Sequence, residues 1–282
     1  MSEALVTQPT QNLLLGSLPA DEFGRMAPHL ERMTMDVRQL LYDVMKPIEH
    51  IYFPETMVGS MVAVMTDGSA VETATIGREG LVGLNAFLGG DRSPAQAYCQ
   101  VPGLTLRMTV AAFHDVVSKN PAMRSMLGRY AEAFLVLVAR SGACNLIHNV
   151  HQRCARWLLL THDRVGTDEF SLTQQFLAQM LGVRRATVTE TAGALQDAGI
   201  IKYAYGRITI VDRARLEAAA CECYRIVRSE FDRLMEGRTT ASPLNGMRVS
   251  ESGLSVMTEP HADKPAEGRQ VKGKKTARSP LA

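Results

Sequence analysis

Apolar and polar positions follow different patterns in successive parts of this chain. Over residues 13–33 the apolar side chains fall roughly on one side of a helix, with Pro19 marking an interrupting turn. From residue 38 to 110 the chain consists of short runs rich in Val, Ile, Tyr and Thr, separated by glycine, proline and Asp-Gly turn signals. Such spacing is typical of an all-β sandwich or barrel. The pattern therefore predicts a helical lid followed by a β domain.

The clearest strand pair in this β domain flanks Asp67-Gly68. An Asp-Gly dipeptide tolerates the positive φ that tight hairpin turns require. We therefore expect residues 59–65 and 71–76, on either side of it, to form an antiparallel hairpin. A short helix over 111–118 follows, and Pro121 is suited to the first turn of a longer helix.

The long helix carries a stripe of residues at alternating spacings of four and three. This is close to the repeat of about 3.5 residues by which two helices pack along each other, so the stripe predicts a homodimer interface. Its members are Met123, Leu127, Tyr130, Phe134, Leu137 and Ser141. In the alternative interpretation the same stripe packs on the chain's own β domain. Leu135, Val136 and Val138 are apolar outside the stripe, so both faces of the helix are expected to be covered.

Residues 171–201 contain two short amphipathic segments joined by a glycine. Thr173 is a natural N-cap for the first helix, and Gly182 can adopt the left-handed conformation that ends it. In the second helix Val188 and Leu195 face inward at helical spacing. This order of elements predicts a helix-turn-helix.

The outward face of the second helix carries residue types that suit DNA. Arginine can donate two hydrogen bonds to guanine, glutamate can accept from cytosine, and threonine hydroxyls can bind phosphate. Residues 202–212 then predict two strands around Gly206, a wing that contacts the flanking DNA backbone. The residues expected to contact DNA are Thr173, Gln174, Arg184, Arg185, Thr187, Thr189, Glu190, Lys202 and Arg207.

Two further helices and a polar tail complete the chain. A helix over 152–165 carries the only tryptophan, and Asp212 is expected to cap a final helix over 213–235. From residue 237 onward few large apolar residues occur, a composition that cannot offset its own ordering entropy. We therefore expect 237–282 to be a disordered tail, with the basic cluster around Lys272 solvated rather than dedicated to DNA.

Composition narrows the class of protein. The chain has 282 residues, of which 46% are apolar and 21% charged, enough for two modest domains. A formal net charge of only +2 means that any DNA-binding surface must be local. No apolar run approaches the roughly 18 residues of a membrane span, and the first residues lack a signal-peptide pattern. We expect a cytoplasmic protein without membrane contact, whose five cysteines are reduced.

The order of these features resembles the Crp/Fnr family of bacterial transcription regulators. The likeness extends over about residues 13–235 and rests on the helix-turn-helix at 172–188, the turn at 76–83 and the Asp91-Arg92-Ser93 segment. The resemblance implies a homodimer that binds a two-fold-symmetric operator in double-stranded DNA and contacts RNA polymerase.

The fold class that this resemblance implies is α+β. Its parts are an N-terminal β-roll (double-stranded jelly-roll-like) sensor domain over 13–120, a long dimerisation helix and hinge over 121–148, and a C-terminal winged helix-turn-helix domain over 149–236.

The sensor domain departs from the family's cyclic-nucleotide pattern. Members that bind cyclic nucleotides have a Gly-Glu pair about ten residues before an Arg-Ser pair, but that glutamate position falls near Val82 here, and Glu79 lies three residues too early. The candidate effector-binding residues are Gly83, Arg92 and Ser93, and a plain surface turn is the alternative. No cysteine precedes Cys99, so the iron–sulfur centre of oxygen-sensing members is not expected. A metabolite, redox chemistry at Cys99 and the absence of any effector remain open.

Other chemistry finds little support in the sequence. Cys144, His148 and His151 have helical spacing that suits metal ligands, but we interpret this region as a hinge without a fourth ligand. Cys221 and Cys223 are expected to point to different faces of one helix. No metal, cofactor or catalytic residue is therefore predicted, and the chain is not expected to be an enzyme.

The sequence thus predicts a sequence-specific transcription regulator of the Crp/Fnr type. The alternative is a ligand-binding sensor module whose helix-turn-helix mediates protein contacts, and salt-dependent DNA binding separates the two.

Overall fold

The computed structural model describes residues 10–236, and this part of the chain has an α+β fold as expected. Its N-terminal half is built from two antiparallel sheets, with strand orders β1-β7-β3 and β2-β6-β4-β5. The strands are β1 (Glu31–Met35), β2 (Leu40–Tyr42), β3 (His50–Pro54), β4 (Val58–Val64), β5 (Ala70–Ile76), β6 (Ala95–Val101) and β7 (Gly103–Thr109). Ile51, Phe53 and Leu106 are fully buried in the core of this β domain. A short helix, α3 (Leu84–Phe87), lies between β5 and β6.

The predicted hairpin is confirmed. Strands β4 and β5 pair antiparallel from Gly59 opposite Ile76 to Val64 opposite Ala70, with an irregularity at Met61 and Val62. Gly68 in the connecting turn has φ of 82°, which the Asp-Gly signal predicted because glycine pays no steric penalty there. These two strands form one edge of the larger sheet.

The helical segment at the N-terminus is shorter than expected. It consists of α1 (Leu13–Gly16), α2 (Ala20–Met26) and a 3-10 turn (Ala27–His29). The prediction of helix up to residue 33 is wrong, because Glu31–Met35 is strand β1 and pairs with β7. A pairing partner about seventy residues away outweighs the local helical spacing, as is common for strands.

Two helices follow the β domain, α4 (Val110–Lys119) and α5 (Pro121–Ile147). The side chain of Asn120 caps α5 by accepting a hydrogen bond of 2.8 Å from the backbone nitrogen of Met123. By length and composition α5 is apolar enough to be a candidate membrane span. Many of its side chains, Met123, Leu127 and Tyr130 among them, are nevertheless buried against other parts of the chain.

The stripe predicted as a dimer interface is covered by the same chain. All six of its side chains are buried, Tyr130 to 1% exposure and Phe134 to 9%. The hydroxyl of Tyr130 donates a hydrogen bond of 3.1 Å to the carbonyl of Leu81, and its ring lies 6.3 Å from that of Phe231. Packing on the chain's own domain is therefore what the structure shows for this stripe. The opposite face of α5 is exposed, with Leu135 at 65% and Leu146 at 89%.

The C-terminal half begins after an interruption at His148, which has extended backbone dihedrals as expected for a hinge. Its elements are α6 (Val150–Val165), β8 (Glu169–Ser171), α7 (Gln174–Leu181), α8 (Arg185–Asp197), β9 (Ile201–Ala204), β10 (Arg207–Ile210), α9 (Arg213–Ala219) and α10 (Cys223–Glu236). The wing is a sheet of order β8-β10-β9, so β8 adds a strand that the sequence pattern did not indicate.

The single final helix expected over 213–235 is wrong. Asp212 caps α9 as expected, accepting from the nitrogen of Arg215 at 2.9 Å, but α9 ends at Ala219 and Ala220 has extended dihedrals. Cys221 lies in the turn before α10, and Cys223 is the first residue of α10. These two cysteines are therefore not on different faces of one helix. The expectations for residues 237–282 lie outside the described residues.

Candidate nucleic-acid interface

The helix-turn-helix is formed by α7, the turn at Gly182 and α8. The hydroxyl of Thr173 accepts a hydrogen bond of 3.2 Å from the nitrogen of Phe176, so the predicted N-cap is present. Gly182 has φ of 63°, and the nitrogen of Val183 donates to the carbonyl of Ala178 at 3.0 Å, which ends α7. The N-cap at Thr173 and the left-handed turn at Gly182, which predicted this motif, are therefore both present in the structure.

Two exposed arginines lie at the start of α8. Arg184 is its N-cap residue and Arg185 its first residue, and the first turn of this described helix contains no acidic residue. The first backbone N–H groups of a helix lack partners within the helix, and its dipole adds partial positive charge at this end. Val188 and Leu195 face inward with 0% and 1% exposure. The N-terminus of α8 is therefore a local positive site on a chain of low net charge.

The remaining predicted contacts on the helix-turn-helix differ in their surroundings. Thr189 donates a hydrogen bond of 2.9 Å to Oε1 of Gln174, which joins the exposed face of α8 to the first turn of α7. Glu190 is exposed, whereas Thr187 is half-buried. The pair of Thr189 and Gln174 orients the two helices, and Arg185 and Glu190 remain open to a ligand.

The wing places two predicted cations on its surface. Lys202 is exposed on β9, and Arg207 on β10 forms an exposed ion pair of 2.6 Å with Glu169 on β8. Tyr205 at the tip is fully exposed with φ of 51°, and sequence analysis did not select it. The sequence signal that could have identified Tyr205 is its position directly before Gly206, a residue type that favours turns.

Tyr203 fixes the wing to the helix-turn-helix. Its hydroxyl donates to the carbonyl of Leu172 at 2.9 Å, and its backbone nitrogen donates to Oε1 of Gln196, near the end of α8, at 2.8 Å. Burial raises the pKa of Tyr203 to about 12, against the opposing effect of the positive charge on Arg185. The hydroxyl therefore stays protonated and keeps donating.

The β domain contacts the C-terminal half of the chain through a buried carboxylate. Glu72 on β5 accepts hydrogen bonds from the hydroxyls of Ser60 at 2.5 Å and Thr75 at 2.7 Å, and from the indole nitrogen of Trp157 on α6 at 2.7 Å. Burial raises the pKa of Glu72, while these donors and the charge of Arg164 oppose the rise. A buried carboxylate held by three donors indicates a specific contact between the domains.

A second polar contact joins the same two parts of the chain, the β domain and α6. Glu79, in the turn after β5, forms an ion pair of 2.8 Å with Arg164 on α6, and both side chains are largely buried. Glu79 also accepts from the backbone nitrogen of Gly77 at 3.1 Å. Glu79 is therefore a structural partner of α6, a role that sequence analysis missed because Glu79 and Arg164 are far apart in the chain.

Helix α7 itself packs on the β domain. The ring of Phe176 meets that of Tyr98 edge to face at 6.2 Å, and the hydroxyl of Tyr98 lies 3.6 Å from the sulfur of Met180. At the turn of the motif, a Cβ placed on Gly182 would lie 3.3 Å from the side chain of Val71. The first helix of the DNA-binding motif thus rests on strands β5 and β6.

The three candidate effector residues differ in their surroundings. Gly83 has φ of 107°, and its Cα lies against Ile51, where a Cβ would approach to 2.7 Å. Arg92 is half-exposed and donates to the carbonyl of Met45 at 3.3 Å. Ser93 is buried and its Oγ accepts from the nitrogen of Ala95 at 3.1 Å. Cys99 is also fully buried, and burial raises the pKa of its thiol to about 12, which disfavours redox chemistry there.

Comparison with known proteins matches residues 152–219 to the Crp-like helix-turn-helix domain. A comparison with curated proteins finds no match. Among solved structures, FixK2 from Bradyrhizobium japonicum has 16% sequence identity and a TM-score of 0.57, over 68% of this chain and 98% of that one.

Two further solved structures are similar. The c-di-GMP-responsive global regulator CLP from Xanthomonas campestris has 16% identity and a TM-score of 0.56, over 68% of this chain and 99% of that one. A protein from Eubacterium rectale described as a transcriptional regulator of the Crp/Fnr family has 15% identity and a TM-score of 0.55, over 73% and 96% of the two chains. This chain therefore carries a Crp-like helix-turn-helix domain within the fold of the Crp/Fnr transcription regulators.

Proposed function

We propose that this protein is a sequence-specific DNA-binding transcription regulator that acts as a homodimer on a two-fold-symmetric operator. The observation that carries the proposal is the pair of exposed arginines at the N-terminus of α8, within a Crp-like helix-turn-helix. In such motifs the N-terminal residues of the second helix contact base edges in the major groove. A regulator of this kind works in the cytoplasm with RNA polymerase, and it needs no catalytic residues.

We divide the exposed residues of α8 and the wing into those that would contact base edges and those that would contact phosphates. Arg185 projects from the first turn of α8 and can donate two hydrogen bonds to guanine, and Glu190 can accept from cytosine. Arg184 and Lys202 flank this face and suit phosphate oxygens. Arg207 is already paired with Glu169, so we expect it to contribute less to the free energy of DNA binding.

We place the dimer contact on the exposed face of α5. The buried stripe through Tyr130 already packs inside its own chain, so a second copy must use other residues. The exposed face has its own alternating spacing of four and three, and its residues are Gly128, Glu132, Leu135, Ala139, Gly142 and Leu146, of which only Glu132 is charged. Gly128 and Gly142 have no atom within 4 Å of a Cβ position, which leaves room for close helix approach. Leu135 and Leu146 would bury apolar surface there.

The sensor domain acts through its junction with the DNA-binding domain. Glu72, Glu79 and Tyr98 contact α6 or α7 directly, so a change in the β-roll alters the support of the helix-turn-helix. An effector can change DNA affinity through these contacts only if it binds more tightly to one of two arrangements of the two domains. A small-molecule effector of this kind remains part of the proposal.

Salt dependence of DNA binding tests the assignment of the DNA-contacting face. The purified chain is titrated with a random-sequence duplex at several salt concentrations, alongside Arg184→Ala, Lys202→Ala and the control Arg25→Ala, which alters an exposed arginine of α2. Removing one phosphate contact should weaken binding and reduce the salt slope by about one unit. The control should leave the slope unchanged. Salt-independent binding, or equal slopes for all variants, would favour a helix-turn-helix that serves protein contacts.

A further inference from the structure

Three cysteines and a histidine converge beside the end of α5. The ligand atoms of Cys144, His148, Cys221 and Cys223 all lie within 4.8 Å of one another. The sulfurs of Cys144 and Cys221 are 3.5 Å apart, and the sulfur of Cys223 is 3.8 Å from Nδ1 of His148. All three cysteines are buried, and they form an apolar cluster separate from the main core.

These distances suit a single four-coordinate ion. A tetrahedral zinc ion with Zn–S bonds of about 2.3 Å holds its sulfur ligands roughly 3.8 Å apart, and three cysteines with one histidine are a common structural zinc set. The sulfur separation of 3.5 Å between Cys144 and Cys221 is close to this value, and all four ligand atoms lie within 4.8 Å of one another. An iron–sulfur cluster, in which the ligands bind different iron atoms, requires wider separations than this group provides.

The histidine is already oriented for such a role. Nε2 of His148 lies 3.2 Å from Oε2 of Glu222, while its Nδ1 faces the sulfur of Cys223. A carboxylate that holds the outer nitrogen of a metal-ligating histidine fixes the ring and makes the inner nitrogen a better ligand. Glu222 lies between Cys221 and Cys223 in the sequence, so the turn before α10 supplies both two ligands and the carboxylate that orients His148.

A buried arginine lies close to the cluster. The guanidinium of Arg156 donates a hydrogen bond of 3.1 Å to the hydroxyl of Ser141, which lies three residues before Cys144 in α5. Three thiolates, one neutral imidazole and a divalent ion together carry one negative charge, which this arginine can offset. Each thiol releases its proton to solvent when the ion binds.

We propose that Cys144, Cys221 and Cys223, through Sγ, and His148, through Nδ1, bind one zinc ion. Cys144 and His148 belong to the end of α5, whereas Cys221 and Cys223 belong to the turn between α9 and α10. The ion therefore ties the long helix to the DNA-binding domain across the hinge at His148, and it limits how far that domain turns. The sequence prediction of no metal is revised because the break after α9 brings in two further ligands and His151 is not one of them.

Metal binding by the full-length chain tests this proposal without any DNA. The protein is purified under reducing, oxygen-free conditions, its metal content is measured, and the stripped protein is titrated with zinc against a chromophoric chelator. We expect about one zinc ion per chain. Cobalt in place of zinc should give the intense visible absorption of a tetrahedral thiolate site.

Variants distinguish the ligands from other cysteines. Cys144→Ser, Cys223→Ser and His148→Ala should each lose stoichiometric zinc, whereas His148→Cys should retain it because four cysteines also bind zinc. Cys154→Ser is the matched control, since Cys154 is fully buried but lies outside the cluster. Glu222→Gln should keep the ion with about 10–100-fold lower affinity.

Several outcomes would overturn the proposal. Folded wild-type protein that takes up no zinc, or full zinc binding by Cys144→Ser and Cys223→Ser, would exclude the site. Iron and sulfide in matching amounts would indicate an iron–sulfur cluster instead. Loss of two free thiols in protein purified without reductant, with no metal bound, would indicate a disulfide between Cys144 and Cys221. Folding of each variant is checked by circular dichroism. If a serine variant fails to fold, zinc uptake by the wild type and by His148→Cys tests the site instead.

Discussion

The indole nitrogen of Trp157 donates a hydrogen bond of 2.7 Å to Oε1 of Glu72, and this bond joins the helix-turn-helix domain to the β domain. Glu72 lies on β5 and Trp157 on α6, and both are buried. Leaving a buried donor such as this indole N–H without an acceptor is costly. The structure and stability of the junction therefore depend on this pair.

Glu72→Ala should destabilise the protein. The change leaves the Trp157 N–H and two hydroxyls without their acceptor, which costs about 1–3 kcal/mol for a buried unpaired donor. Glu72→Gln, which keeps one acceptor oxygen, should cost less. Urea unfolding of both variants, combined with Trp157→Phe in a double-mutant cycle, measures the coupling directly. Additive effects of Glu72→Ala and Trp157→Phe would show that the bond contributes nothing.

Glu72 should also make stability depend on pH. Burial raises its pKa above the ordinary 4.5, so the folded protein holds this proton more tightly than the unfolded chain. Its contribution to stability is thus fully present below 4.5 and is lost as pH rises through the higher pKa of the folded state. Glu72→Gln should remove this part of the pH dependence. Unfolding free energies at a series of pH values check it, and parallel curves for the two proteins would contradict it.

Gly80→Ala should disturb the packing of α5 on the β domain. A Cβ on Gly80 would lie 2.8 Å from ring atoms of Tyr130, which is buried and cannot move aside freely. Overpacking of this kind costs about 1–3 kcal/mol. Gly24→Ala is the control, because a Cβ there meets nothing within 4 Å and lies in α2. Thermal unfolding should show a lower midpoint for the first variant and an equal or higher one for the second.

Leu135→Arg should convert the dimer to monomers. Leu135 lies on the exposed face of α5 that we assign to the dimer contact, and two charges would face each other across it. Leu88→Arg is the matched control, since Leu88 is equally exposed but lies next to α3. Sedimentation analysis separates the two states. A monomeric wild type, or a dimeric Leu135→Arg variant, would show that this face is not the interface.

Arg185→Ala should reduce binding to the specific operator while leaving the oligomeric state unchanged. Loss of a bidentate contact to guanine costs about 1–3 kcal/mol, or roughly 5- to 150-fold in affinity. Binding to random duplex should change much less, because the lost contact reads a base. Fluorescence anisotropy with the operator and with a scrambled duplex measures both. Unchanged operator affinity would remove Arg185 from the recognition surface.

The parts of the fold that depend on local sequence were predictable. Thr173 and Gly182 act on their immediate neighbours, so the helix-turn-helix could be predicted residue by residue. Strand β1 could not, because its conformation is set by pairing with β7. The stripe on α5 was visible, but spacing alone does not say whether the chain or a second copy covers it. The cysteine cluster was missed because Cys144 and Cys221 are 77 residues apart.

Selection of bound sequences from a random duplex library by the purified protein tests the central claim most directly. It is performed at near-physiological salt, first alone and then with cyclic nucleotides and a cell extract as sources of effector. We predict an enriched inverted repeat whose half-sites lie about one helical turn apart, since two α8 helices related by a two-fold axis read two half-sites. Arg185→Ala should fail to enrich the same repeat. No enriched sequence under any of these conditions, or one without a repeat, would contradict a dimeric DNA-binding regulator.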